Sequence, residues 1–472
     1  MDAKAIGQLK GRLRRFLLLF EGCFGRREPR EHLETYLCGQ LSDLPRKSIE
    51  PMALRVGTPP RTLQQFLSGA NWDQHAMRDL LQQQVAGRWS HPDAIGIIDE
   101  TSFAKKGNCT PGVKRQHCGS LGKRDNCTVT VHLAYSAPGG FRALIDGELF
   151  LPEDWSLDRD RCRKAGIPDA MIYRPKWKIA LELRDRAVAN GVTFPWMTFD
   201  EGYGLSPAFH LALDRRGQRY VCEVPKNFFG WCKPPQVLLK AHHPGSVGEL
   251  KAKSLPASRV DDLTAHSPAM YRRTWERFRI KDSAKGPIVW EAKVAPFQLS
   301  SEGNPSRPLL LIVARNVLDL GEVKYFVSNA PANTPLPELL RAGFGRYPVE
   351  RCFEDDKTEI GLDHFEVRNY RSLERHLILS SVNLFFLAQV RQEDVKKKSG
   401  VDGVPGEDGG QRDDRFTVDG KRGQSEEPPR LRKNHCLSSA AERRRPNMPP
   451  QGHPQTLAST WHQPDKPETL ST

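Results

Sequence analysis

Ala94-Ile95-Gly96-Ile97-Ile98-Asp99-Glu100-Thr101-Ser102-Phe103 is the stretch on which the fold turns. An apolar run that ends at an acid reads as a central strand delivering a carboxylate to its end. Lys105-Lys106-Gly107 then turns the chain. Val129, Val131, Leu133 and Tyr135 alternate with polar residues, so a strand with one buried face follows. Ala143 to Leu151 reads as its hairpin partner. A helix is predicted over Trp177 to Ala189, with Ile179, Leu181, Leu183 and Ala187 as its apolar positions. Phe194 to Phe199 is a further strand, ending at Asp200. Gly202-Tyr203-Gly204 turns the chain, Pro207 to Leu213 begins a helix, and Tyr220 to Val224 is again a strand.

Strands, helix, strand, helix is the order of an α/β, ribonuclease-H-like catalytic core, expected over residues 93–390. Within it, residues 226–330 read as a β-rich insertion, with strands at Arg279-Ile280, Ile288 to Trp290, Leu309 to Val313 and Tyr325 to Val327. A helix should then begin near Tyr347, with Pro348 in its first turn, and stop at Gly361. Arg375 to Val390 reads as another, strongly apolar helix.

Residues 1–92 are predicted to be a helical domain. Ser48 is the expected N-cap of a helix through Val56, and Gly57-Thr58-Pro59-Pro60 breaks it. A second helix follows from Arg61, with Leu63, Phe66 and Leu67 on one face. The outline fits either a helix-turn-helix that binds DNA or a plain helical hairpin. Residues 391–472 are rich in Gly, Pro and charge, with Phe416 and Trp461 as their aromatics. Such a tail buries too little apolar surface to offset chain entropy and is expected to be disordered. A frameshifted or degenerate reading of a lost helical end would account for its abrupt composition.

The chain has 472 residues and a formal charge of +14, which favours a polyanionic partner such as nucleic acid. Its ten cysteines include no C-x-x-C pair. His117, Cys118 and Cys127 lack a sensibly spaced fourth ligand, so buried free thiols in a reducing cytosol are expected. Phe16 to Phe20 is too short for a signal peptide, and no apolar run reaches the roughly 20 residues of a membrane span.

A lone Asp at a strand end is usually a turn or cap residue. Asp99 and Asp200 in matching strand-end contexts, joined by Glu350 on a helix, instead form a set able to hold two Mg²⁺ or Mn²⁺ ions. Asp99 would bridge the ions, and Asp200 and Glu350 would each bind one. Arg346, Glu350, Glu354 and Lys357 fall near one helical face. That face fits phosphate-holding cations beside a metal ligand, or a solvated salt-bridged helix. Glu354 is the alternative third acid. Lys105, Lys106, Lys114, Arg115, Lys123 and Arg124 cluster after Asp99 and are candidates for backbone phosphate.

Arg346, Glu350 and Lys357, together with Gly361-Leu362-Asp363-His364-Phe365-Glu366-Val367-Arg368, resemble the Tyr-x2-Arg-x3-Glu-x6-Lys signature of bacterial insertion-sequence DDE transposases with a β-rich insertion. The resemblance covers roughly residues 30–390. The signature's tyrosine would fall at Gly343, beside Phe344. The resemblance implies that Asp99, Asp200 and Glu350 are catalytic metal ligands and that Arg346 and Lys357 contact DNA. It further implies hydrolysis at each element end, joining of the freed 3′-hydroxyl to target DNA, and a homodimer on double-stranded DNA bearing terminal inverted repeats. Trp290 could stack on a flipped base, or be a core residue. The expected location is the bacterial cytoplasm, at the nucleoid. Other classes to be separated from this one are a catalytically inactive DNA-binding derivative and a metal-dependent nuclease that does not join strands.

Overall fold

The computed structural model describes residues 3–240, 249–252, 256–283 and 286–398. Helices α1 (Ala3–Leu17), α2 (Arg27–Gln40), α3 (Ile49–Arg55), α4 (Pro60–Ser68) and α5 (Gln74–Arg88) come first. Ser48 occupies the N-cap position of α3 in extended backbone but its hydroxyl makes no capping hydrogen bond, and Gly57 turns the chain at φ 68°, a conformation that favours glycine. Pro60 opens α4, which buries Leu63, Phe66 and Leu67 as the sequence pattern requires.

Next come β1 (Ile95–Ala104), β2 (Lys114–Cys118), β3 (Lys123–Ala137) and β4 (Phe141–Leu149). Short helices α6 (Glu153–Leu157) and α7 (Arg159–Lys164) lead to α8 (Lys176–Ala189), β5 (Trp196–Phe199), α9 (Glu201–Gly204), α10 (Pro207–Arg215) and β6 (Val221–Val224). In the five-stranded sheet β4 and β2 pair along one edge of β3, β3 pairs antiparallel to β1, and β1 pairs parallel to β5. Tyr220, just before β6, bridges onto Met197 in the parallel sense.

The β-rich segment holds β7 (Phe229–Trp231), β8 (Val237–Lys240), β9 (Glu249–Ala252), β10 (Ser258–Arg259), α11 (Val260–His266) and α12 (Pro268–Tyr271). It continues with β11 (Glu276–Ser283), β12 (Gly286–Ser301), β13 (Asn304–Pro305), β14 (Leu309–Asn316) and β15 (Val323–Ser328). The second sheet runs β10-β7-β12-β14-β15-β6, with β11 and β13 also on β12, while β8 and β9 pair antiparallel in a two-stranded sheet of their own. This sheet therefore ends on β6, against β5 of the first. Helices α13 (Leu336–Gly343), α14 (Tyr347–Asp355) and α15 (Tyr370–Lys398) complete the described chain.

The opening helices and the first sheet share one continuous core. Phe16, Phe20, Leu63 and Phe66 join Ile98, Val131, Phe141 and Phe385 in it. Burying several such side chains contributes about 1.5–3 kcal/mol each before chain entropy is counted. Polar ties fix the packing of α15: buried Arg375 donates to the carbonyls of Phe66, Leu67 and Trp72, and the Tyr36 hydroxyl meets His376 Nδ1 at 2.7 Å.

Three expectations change. The strand through Asp99 does not stop there: β3 continues to pair with β1 as far as Ala104, whereas β5 leaves after Phe199. Gly202-Tyr203-Gly204 lies in the short helix α9, because Asp200 accepts from the Tyr203 amide and nucleates a turn. Residues 391–398 continue α15 instead of opening a tail, and Arg12 pairs with Glu393 and Asp394 there. The rest of the expected tail lies outside the described residues.

Candidate active site

Asp99 and Asp200 are brought together by strand register. In the parallel pair β1–β5, Ile98 faces Phe199, so the two aspartates occupy the next, adjacent positions. Neighbouring strands lie about 4.8 Å apart. Asp99 also stands opposite His132 on β3, so both side chains project from one sheet face. Helix α14 packs over that face, where Phe353 meets the His132 ring edge-on at 5.3 Å. One turn earlier on α14 lies Glu350.

Arg346 ties the parts together. Its Nη1 donates to Asp99 Oδ2 at 2.9 Å and its Nη2 to Glu350 Oε1 at 2.8 Å. The sequence placed Arg346 against DNA phosphate; here one guanidinium bridges two of the three acids. Asp200 accepts from the Tyr203 amide at 3.2 Å. Burial pushes the Asp99 carboxyl up to about 7; Asp200 adds to this, and Arg346 opposes it. Arg346 keeps its own proton tightly, because Asp99, Glu350 and Asp200 outweigh its burial.

Among the described residues, no three His, Cys, Asp or Glu side chains stand at metal-holding spacing. The guanidinium of Arg346 occupies the gap between Asp99 and Glu350. The donor set nevertheless fits magnesium or manganese in kind, since its atoms are hard carboxylate oxygens and a cation already stands among them. Glu354, one turn on from Glu350, is exposed and pairs with Arg351. Glu100, next to Asp99, pairs with Lys176 Nζ at 2.6 Å.

The helix carrying Glu350 ends in a π turn, Asp356–Ile360, closed by Gly361 at φ 77°. Lys357 lies in that turn, half-buried and 5.9 Å from the Phe103 ring. Burial lowers its pKa, and its charge reaches buried His132, whose pKa falls to about 3 mainly from burial. Lys357 is therefore beside the face that carries Asp99.

The other predicted phosphate contacts divide. Lys105 turns inward: its Nζ donates to the Phe365 carbonyl at 2.6 Å and lies 3.5 Å from the centre of the Phe365 ring. Burial lowers its pKa to about 8, so its role is to tie β1 to the loop before α15. Lys106 and Arg115 are exposed, and Lys114 is exposed with Asp154 as partner at 3.1 Å. Trp290 is a core residue, 4% exposed, with its ring tilted against Phe344 at 5.1 Å. A Cβ at Gly343 would lie 3.1 Å from Val221 and 3.2 Å from Phe326, so a side chain there would require these neighbours to shift.

Tyr203 escaped the sequence reading. It is 5% exposed, and its ionisation is suppressed by burial and then by Glu100, Asp99 and Asp200. Its signal was present, since it follows Asp200 by three residues and so starts the turn that Asp200 caps.

Residues 19–287 match the family model described as DDE superfamily endonuclease. That span contains Asp99 and Asp200 and ends before Glu350. The chain is also 32% identical over 295 residues to a probable transposase for insertion sequence element IS701 from Microchaete diplosiphon, covering 53% of this chain and 73% of that protein.

Proposed function

Because the chain belongs to the DDE superfamily endonucleases, we propose that it is the transposase of an insertion sequence, cutting the element's DNA ends and joining them to target DNA. The observation that carries this reading is the single guanidinium of Arg346 spanning Asp99 and Glu350, with Asp200 in the position beside Asp99. The strand order β4-β3-β1-β5, followed by the Tyr220 bridge, supports a ribonuclease-H-like core.

In this reading Asp99, Asp200 and Glu350 would hold two divalent ions. When bound, such ions supply charge for the attacking and leaving oxygens of an in-line displacement at phosphorus. The protein's own part is positional. β1 and β5 fix Asp99 and Asp200 by backbone pairing, and α14 sets Glu350 over them. Arg346, which now spans Asp99 and Glu350, would with Lys357 be placed to meet a DNA phosphate beside the acids. Lys106, Lys114 and Arg115 extend the phosphate-binding face, and Lys105 supports the fold beneath them. The unit α3–α4 exposes Arg61, Gln64, Gln65 and Ser68 and is the candidate reader of the terminal repeats. Two ends must be processed together, so the active form would be a homodimer on DNA. Among the described residues no helix is long and apolar enough to cross a membrane.

The test uses DNA carrying the repeats that flank the gene, with Mg²⁺ or Mn²⁺. Nicking that frees a 3′-hydroxyl, followed by its joining to a second duplex, is expected. Cleavage without joining would make the protein a nuclease, and binding without either would make it a DNA-binding derivative. If Glu350→Ala stays active while Glu354→Ala does not, the third acid is misassigned.

A further inference from the structure

Cations paired with aromatic rings gather along the strand β11. Arg272 lies 5.8 Å from the Tyr271 ring, at the end of α12. Lys293 and Arg315 lie 4.5 and 4.1 Å from the Trp275 ring, immediately before β11. Lys281, near the far end of β11, lies 3.6 Å from the Tyr347 ring. Four cation–ring pairs on three rings thus line one short path beside β11.

The path leads to the acids. Tyr347 is the first residue of α14, adjacent to Arg346 and three residues before Glu350. A β-bulge between Arg279 and Lys281 interrupts the pairing with β12 just before Lys281. Bulges of this kind re-aim side chains, often beside active sites. Among the described residues β11 pairs with β12 alone, so it is an edge. Edge strands often carry charge merely to block pairing with other chains. That role needs no ring beneath each charge and no approach to the acids. Tyr271 and Tyr347 are also about half exposed, at 51% and 47%.

We propose that this edge is a track for single-stranded DNA running to the acidic centre, an inference that rests on the DNA-cutting reading above. Tyr347 and Tyr271 would stack on unpaired bases, and Lys281 and Arg272 would meet the intervening phosphates. From Glu276 to Lys281 the strand spans roughly 17 Å, the length of about five stacked nucleotides. Rings with cations on them bind single strands without sequence preference, because every base offers a flat face. Duplex DNA hides those faces and would gain little from the tyrosines.

The test is fluorescence anisotropy of the full chain, without divalent metal, on labelled oligothymidine and on a blunt duplex. Lys281→Gln combined with Tyr347→Leu should weaken oligothymidine binding about tenfold. Duplex binding should change by less than about threefold, because its phosphate contacts lie elsewhere. Lys281→Gln alone should lower the slope of log affinity against log salt by about 0.7 on the single strand. Unaltered single-strand affinity, or equal losses on both DNAs, with Tm unchanged, would overturn the track. If the double variant does not fold, Tyr271→Ser and Arg272→Gln test the exposed far end in the same way. Because no cleavage is read, a protein inert toward every DNA end would sink the transposase reading while leaving this measurement decisive.

Discussion

The two sheets treat charge in opposite ways. In the five-stranded sheet, acids are drawn inward: Asp99 is 9% exposed on a strand paired on both sides, and Asp200 caps the helix beside it. Along the edge β11 of the eight-stranded sheet, cations sit outward, with Lys281 on the half-exposed Tyr347 ring and Arg272 beside Tyr271 just before the strand. Burying a carboxylate is costly, so it persists only where rigid backbone and a countercharge hold it. A surface cation on a ring costs little and adapts to a flexible partner. The contrast separates a part built for fixed geometry from a part built for contact.

The largest expected effect tests that contrast directly. Asp99→Ala or Asp200→Ala should reduce metal-dependent cleavage by at least about a thousandfold. Lys281→Gln should reduce it by no more than about tenfold, as expected of a binding contact. Comparable losses in a cleavage time course would erase the distinction. Next in size is rigidity. A Cβ at Gly204 would lie 2.0 Å from the Glu223 carbonyl oxygen. Gly204→Ala should therefore cost about 1–3 kcal/mol in denaturant unfolding, whereas Arg272→Gln should stay within about 0.5 kcal/mol. A neutral Gly204→Ala would show that the acidic sheet yields more than its packing implies.

Arg346→Gln should destabilise the metal-free protein by about 1 kcal/mol, since it leaves Asp99 and Glu350 without their shared cation. Added Mn²⁺ should raise the Tm of this variant more than that of the parent. Equal shifts would mean that the guanidinium and the metal do not share a place. The smallest effect concerns Asp356, fully buried in the π turn with neither carboxylate oxygen hydrogen-bonded among the described residues. Burial pushes its carboxyl up to about 8. The folded state then keeps a proton that the unfolded chain releases near pH 4, so stability falls as pH rises from about 4 to 8. Asp356→Asn should equal the parent near pH 4 and exceed it by a margin that widens as pH rises toward 8, seen in Tm against pH. An advantage that shrinks with rising pH would contradict the burial argument.

The strands around Asp99 and Asp200 and the helix around Glu350 were legible because each rests on local pattern: an apolar run, a turn, a proline at the start and Gly361 at the stop. The extent of β1 beyond Asp99 was not, because β3 supplies the pairing that extends it. Lys105 read as a phosphate contact since its neighbours are basic. Its true partner, Phe365, is 260 residues away. Trp290 was readable only as an aromatic, and packing against Phe344 decided that it belongs to the core.

What the sequence by itself determined is the supply of parts: the opening helices, the strands that end on acids, the β-rich segment and the helix with Arg346 and Glu350. These follow from periodicity, capping and turn residues, which act over a few positions. What only the tertiary structure decided is which charges meet. Parallel register set Asp99 beside Asp200, the packing of α14 carried Arg346 between Asp99 and Glu350, and the edge β11 brought Lys281 to Tyr347. Electrostatic interaction depends on distance through space, and distance along the chain does not fix it.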